Sequence, residues 1–163
     1  MTDTAAPETV ESAASASPGA QSPDAGQPDP ASPDSPYRAR RERFLEQIGS
    51  GVAVLCSAPK LISSRDTEIN YRQNSELFYL TGFPEPAVAV LTPHDPEHRF
   101  TLFVRPRDPE RETWSGARAG VEGARERYGA DAAYPLEEVD KDRLRELLWP
   151  ADRIWYSLGS NPN

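Results

Sequence analysis

Apolar positions between residues 37 and 163 fall in short blocks of two periods, and the period changes where Gly or Pro intervenes. In 37–48 (YRARRERFLEQI), Phe44, Leu45 and Ile48 share one face while Arg and Glu fill the others. This predicts an amphipathic helix that ends at Gly49. Residues 51–56 (GVAVLC) are short, β-branched and bounded by Gly and Pro, which predicts a buried strand. Two more strands are predicted at 87–91 (AVAVL) and 99–104 (RFTLFV). The stretch between them, 92–98, is rich in Pro, Asp and His and suits a hairpin turn, so part of the sheet should be antiparallel. A short helix is predicted over 121–128, between Gly120 and Gly129. Leu136, Val139, Leu144, Leu147 and Leu148 form the stripe of a stronger helix over 136–148, stopped by Pro150. Residues 153–158 (RIWYSL) predict a last strand. Helices and strands thus mingle in one layered domain, an α/β fold with a mixed β-sheet flanked by helices.

Residues 1–36 follow neither period. They hold 7 Pro, 8 Ala and 6 Ser, no aromatic residue, and 6 acidic side chains with no Lys or Arg. Such a segment buries too little apolar surface to offset the entropy of ordering it and is expected to be a disordered tail. It also carries −6 of the chain's net charge of −8. The body, 37–163, is left near neutral, which argues against a broad basic footprint for nucleic acid. Arg38, Arg40, Arg41 and Arg43 read as a solvated helix face balanced by Glu42 and Glu46, because no aromatic residue interleaves them. No apolar run is long enough to span a membrane, and the N-terminus lacks the features of a secretory or transit signal. The single cysteine, Cys56, excludes an internal disulfide framework and reads as a small core residue. The expectation from these features is a cytoplasmic protein.

Candidate chemistry is sparse. His94 and His98 have the four-residue spacing of metal ligands on a helix, but Pro93 and Pro96 forbid that helix. Glu137, Glu138 and Asp140 read as helix-start acids. With two His and one Cys, neither a catalytic triad nor a complete metal cage can be assembled. Two stretches stand out. In 63–86 (SSRDTEINYRQNSELFYLTGFPEP), the polar side chains of Asp66, Glu68, Asn70, Arg72, Gln73 and Asn74 run into Leu77, Phe78, Tyr79 and Leu80. That pattern fits a binding rim, and equally a helix capped by Asn74 or Ser75 with a buried aromatic turn. In 111–120 (RETWSGARAG), Trp114 sits among small residues, as a ligand anchor or as an indole folded onto the core.

These same stretches carry a resemblance. YRQNSELFYLTGFPEP (71–86) resembles the signature stretch of the N-terminal domain of aminopeptidase P, the Xaa-Pro aminopeptidase, and ETWSGARAG (112–120) is similar to its second stretch in kind and spacing. The preceding helix, the GVAVLCSAP strand and the SSRDTEINYR loop fall in register, so the resemblance covers 37–163. It implies the creatinase- and prolidase-like N-terminal fold. It also implies a second, "pita-bread" catalytic domain holding two Mn²⁺ ions with a bridging hydroxide, which this sequence is expected to lack. No catalytic residue or metal ligand is therefore assigned here, and the chain alone is expected to be inactive. What the resemblance does imply for this domain is a role in oligomerisation and in narrowing a neighbouring subunit's substrate channel, through an acidic residue at Asp66 and the indole of Trp114, with Arg72 and Asn74 as loop supports. Proline-containing peptides and further copies of the chain are the implied partners, with no nucleic acid and no membrane. Prolidase or creatinase fits the two stretches less well. A non-catalytic creatinase-like protein-binding module is the alternative.

Overall fold

The computed structural model describes residues 27–58, 62–63, 67–68, 71–110, 112, 117–139 and 142–156. Helix α1 is Pro36–Ile48. Its proline occupies a first-turn position, where a missing N–H is no loss, and Gly49 closes it by donating to the Leu45 carbonyl at 3.2 Å. Strand β1 (Val52–Cys56) follows, then the two-residue strands β2 (Ile62–Ser63) and β3 (Thr67–Glu68), which pair antiparallel with each other. Helix α2 (Ser75–Thr81) leads into the hairpin of β4 (Ala87–Leu91) and β5 (Phe100–Val104). Helix α3 (Gly120–Glu126), β6 (Ala132–Pro135), a 3-10 turn (Leu136–Glu138), helix α4 (Asp142–Leu148) and β7 (Ile154–Tyr156) complete the order.

The main sheet runs β6-β5-β4-β1-β7. The inner pairs β1/β4 and β4/β5 are antiparallel, while the outer strands β6 and β7 lie parallel to β5 and β1. This is the mixed sheet the sequence predicts. Its inner strands β1, β4 and β5 are buried on both faces, so they read as unbroken apolar runs. Within β5, Phe100, Leu102 and Val104 face one way, toward Leu45 of α1, Leu77 and Leu80 of α2, and Ala124 of α3. Phe103 faces the other way, toward Leu147 of α4. Residues of period two therefore divide between two helical layers. At the sheet edge, all three residues of β7 remain exposed.

Four expectations change. The helix predicted over 136–148 is split: Glu137 and Glu138 sit in the 3-10 turn, α4 starts at Asp142, and residues 140–141 lie outside the described residues. Its apolar stripe survives the split, because Leu136, Val139, Leu144 and Leu148 still pack with Leu147. Strand β6 was not anticipated. Its sequence, AAYP, has little strand propensity and is held by pairing with β5. The arginines of α1 are not one solvated face. Arg41 is buried, donates to the Leu80 carbonyl at 3.0 Å and lies 4.1 Å over the Phe100 ring, while Glu42 pairs with Arg99. Finally, the end of the segment read as a tail is packed: Ser35 is buried, and Pro30 and Ala31 lie against Gly82 and Gly129.

The two histidines sit in the β4–β5 hairpin turn. Asp95 Oδ1 accepts from the Glu97 and His98 amides, closing the turn locally. The His98 ring lies between Asp95 Oδ2 (3.0 Å) and the Tyr134 hydroxyl (3.1 Å), which ties the turn to β6. Cys56 is half-buried at the end of β1 rather than deep in the core, and it raises the pKa of the neighbouring Tyr156 hydroxyl through their hydrogen bond.

Candidate functional site

The strand directions bring one set of ends together. The C-terminal ends of β1 and β5 meet the N-terminal end of β4, where the Ser57 amide donates to the Ala87 carbonyl at 2.9 Å. The two stretches singled out in the sequence, 63–86 and 111–120, both reach this end.

The first is fixed by Gln73. Its Oε1 accepts from the Tyr71 hydroxyl (2.7 Å) and from the Asn74 amide (2.9 Å). Its Nε2 donates to the Phe83 and Glu85 carbonyls. One amide group thus closes the chain from 71 to 85 around α2. Asn74 Oδ1 accepts from the Glu76 and Leu77 amides at 2.8 and 3.3 Å, capping the helix. At the far end Gly82 takes a φ of 67°. A Cβ there would come within 2.9 Å of the Tyr37 ring, so both the turn and the packing call for glycine. Burial raises the pKa of the Tyr71 hydroxyl, against the smaller opposing influences of Ser57 and Arg105.

The second stretch is clamped at its base. Arg107 donates to both carboxylate oxygens of Glu112 at 3.2 Å, and this fork holds the Glu112 carboxyl below its ordinary range. Arg118 Nη1 reaches the Pro106 carbonyl at 3.4 Å. The Ala119 amide donates to Glu85 Oε1 at 2.7 Å, and Glu85 Oε2 lies 3.7 Å from Arg105 Nη2. Gly120 has a φ of 64°, and a Cβ there would sit 2.5 Å from Arg107 Cγ.

Of the four site residues named from the sequence, Asp66 and Trp114 lie outside the described residues. Arg72 is exposed on the approach to α2, and Asn74 serves as the helix cap. The residue that joins the two stretches is Glu85, with Arg105 beside its carboxylate, and the sequence reading singled out neither. The available signal was Glu85 itself, a carboxylate fixed between two prolines in FPEP. Among the described residues there is no group of three or more His, Cys, Asp or Glu placed to hold a metal ion. They do not fit a metal centre, and no metal-dependent step is assigned to them. Elsewhere, α1, α2 and β7 border an open cleft of about 820 Å³ whose walls include the exposed rings of Tyr79, Trp155 and Tyr156.

Comparison with known proteins places the fold in a family. The family model "Aminopeptidase P, N-terminal domain" matches residues 37–155. The chain is similar to Xaa-Pro aminopeptidase of Escherichia coli, with 40% identity over 126 residues, which is 76% of this chain and 28% of that protein. It is similar to mouse Xaa-Pro aminopeptidase 3, with 39% identity over 108 residues, 63% of this chain and 21% of that one. Among solved structures, aminopeptidase PepP of Pseudomonas aeruginosa superposes with a TM-score of 0.73 at 48% identity, covering 77% of this chain and 29% of that one. Aminopeptidase P of E. coli bound to the inhibitor Pro-Leu superposes with a TM-score of 0.70 at 38% identity, with the same coverage. The chain therefore spans between a fifth and a third of the length of these relatives.

Proposed function

Because this chain belongs to the aminopeptidase P family through that family's N-terminal domain, we propose that it is the substrate-channel and oligomerisation domain of a Mn-dependent Xaa-Pro aminopeptidase. The enzyme removes an N-terminal residue that precedes proline and acts in the cytoplasm on proline-containing peptides, as a homo-oligomer. In this reading the two Mn²⁺ ions and the catalytic groups belong to a second domain, for which the uncovered length of the relatives leaves room. This domain supplies walls rather than chemistry. Asp66 offers a carboxylate to the peptide's free ammonium, Trp114 an apolar face to the proline ring, and Arg72 and Asn74 support the loop.

The observation that carries the reading is the convergence of the two stretches on Glu85 at one end of the sheet. That placement suits a pair of loops acting on one ligand. The names of the relatives, all peptidases, favour it over a non-catalytic binding module. Among the described residues, no helix is long and apolar enough to cross a membrane.

The test uses the full-length oligomer. Trp114→Ala and Asp66→Ala should each lower kcat/KM for an Xaa-Pro peptide while metal content and melting temperature hold. A tryptophan buried in the core would instead cost about 3–5 kcal/mol of stability on truncation. Unchanged kinetics in both variants would remove the channel assignment. The 163-residue chain alone should release no amino acid from an Xaa-Pro peptide with Mn²⁺ added, and turnover by it would overturn the division of labour.

A further inference from the structure

Glu85 stands between the two stretches in an unusual way. Its main chain belongs to the first: the Glu85 carbonyl receives Gln73 Nε2, and Gln73 in turn holds Tyr71 and Asn74. Its side chain belongs to the second: Oε1 accepts the Ala119 amide at 2.7 Å, immediately before the left-handed Gly120, where the chain turns into α3. Helix α3 has no side-chain cap of its own, and the Glu85 carboxylate takes the amide of its N-cap residue, Ala119, from another element, the role that the N3 carboxylate plays in a capping box. Arg105, at the end of β5, faces the second carboxylate oxygen at 3.7 Å and keeps the group turned toward Ala119. The carboxylate is about one-fifth exposed. Partial burial makes a charge-assisted hydrogen bond to a main-chain amide worth more than a surface ion pair. The surrounding prolines, Pro84 and Pro86, limit the backbone freedom of the residue that carries it.

We propose that Glu85 is a positioning residue for substrate binding. It ties Ala119, near the end of the 111–120 stretch, to the Gln73–Glu85 segment of the 63–86 stretch, and so sets the distance between two segments that act on one peptide. The kinetic part of this inference rests on the function proposed above, whereas the structural part does not.

Two substitutions separate the effect from simple loss of stability. Glu85→Gln keeps an oxygen acceptor for the Ala119 amide and gives up the charge opposite Arg105. Glu85→Ala removes both. In the full-length peptidase, Glu85→Ala should raise KM for an Xaa-Pro peptide about tenfold with kcat within about twofold, while Glu85→Gln should stay within about threefold in KM. Amide hydrogen exchange on the same proteins gives a readout independent of activity. Glu85→Ala should speed exchange at Ala119 at least tenfold and leave the central strands β4 and β5 unchanged, with Glu85→Gln intermediate. The proposal is overturned if Glu85→Ala leaves both KM and Ala119 exchange at wild-type values, or if β4 and β5 lose protection together with Ala119. It is equally overturned if Gln and Ala are impaired alike. Accelerated exchange at Ala119 in a protein that never cleaves Xaa-Pro peptides would sustain the brace and sink the proposed function instead. If Glu85→Ala fails to fold, Gln73→Ala probes the other arm: a raised KM with intact β4 and β5 supports the brace, and wild-type KM overturns it.

Discussion

Arg41 is a cation held inside an apolar layer. Its guanidinium donates to the Leu80 carbonyl and lies over Phe100, and burial pulls its pKa down to about 10 despite the attraction of Asp131. The depressed value means that desolvation opposes the charge, so the residue contributes through its hydrogen bond and its ring contact. Arg41→Met keeps much of the volume but leaves a buried carbonyl without its donor. The expected loss is about 1–3 kcal/mol, read from the denaturant midpoint at constant slope. Arg43→Met, on the exposed side of the same helix, should stay within about 0.5 kcal/mol. Glu42 makes a different kind of contact. The Arg99 hydrogen bond holds its carboxyl below the ordinary value of 4.5. The folded state therefore binds that proton less readily than the unfolded chain. Its contribution is complete above about pH 4.5 and is lost as the pH falls through the lower folded value. Glu42→Gln should flatten the fall in stability below pH 4.5, measured by thermal melts across that range.

At the scale of the element, α2 is too short to persist on propensity and depends on its ends. Asn74→Ala should cost about 1 kcal/mol, and Asn74→Asp should be close to neutral. The cap, the helix-ending Gly49 and the strands β1, β4 and β5 are legible in the sequence because each is set by residues within a few positions of itself. Elements decided at a distance are not. Strand β6 exists because β5 offers it an edge, and nothing in AAYP announces that. The stripe of 136–148 has helical spacing, yet pairing of 132–135 with β5 leads the chain into a 3-10 turn before α4 begins. The buried Arg41 is hidden for the same reason, since Leu80 and Phe100 are remote from it in sequence. So is Glu85, whose amide partner lies beyond β5. Gln73 and Asn74, by contrast, were visible as polar residues at a helix start. Only their division of labour needed the structure.

At the scale of the molecule, one arrangement governs how the chain must assemble. The hairpin of β4 and β5 can close early, because its partners are neighbours in sequence. Strand β1 joins β4 next, but its other edge waits for the far end of the chain: Val52 pairs with Ile154, and the Val52 amide donates to the Arg153 carbonyl at 2.8 Å. A chain truncated after residue 150 should therefore melt at a lower temperature and bind more of an apolar dye, since β1 becomes an open edge. During synthesis the same geometry imposes a wait. Most of the sheet can form while the ribosome is still extending the polypeptide, yet β1 keeps a bare row of amides and carbonyls until residues 154–156 leave the exit tunnel. The interval between those two events is the period in which a nascent chain of this design is most open to chaperones and to pairing with its neighbours on the same message.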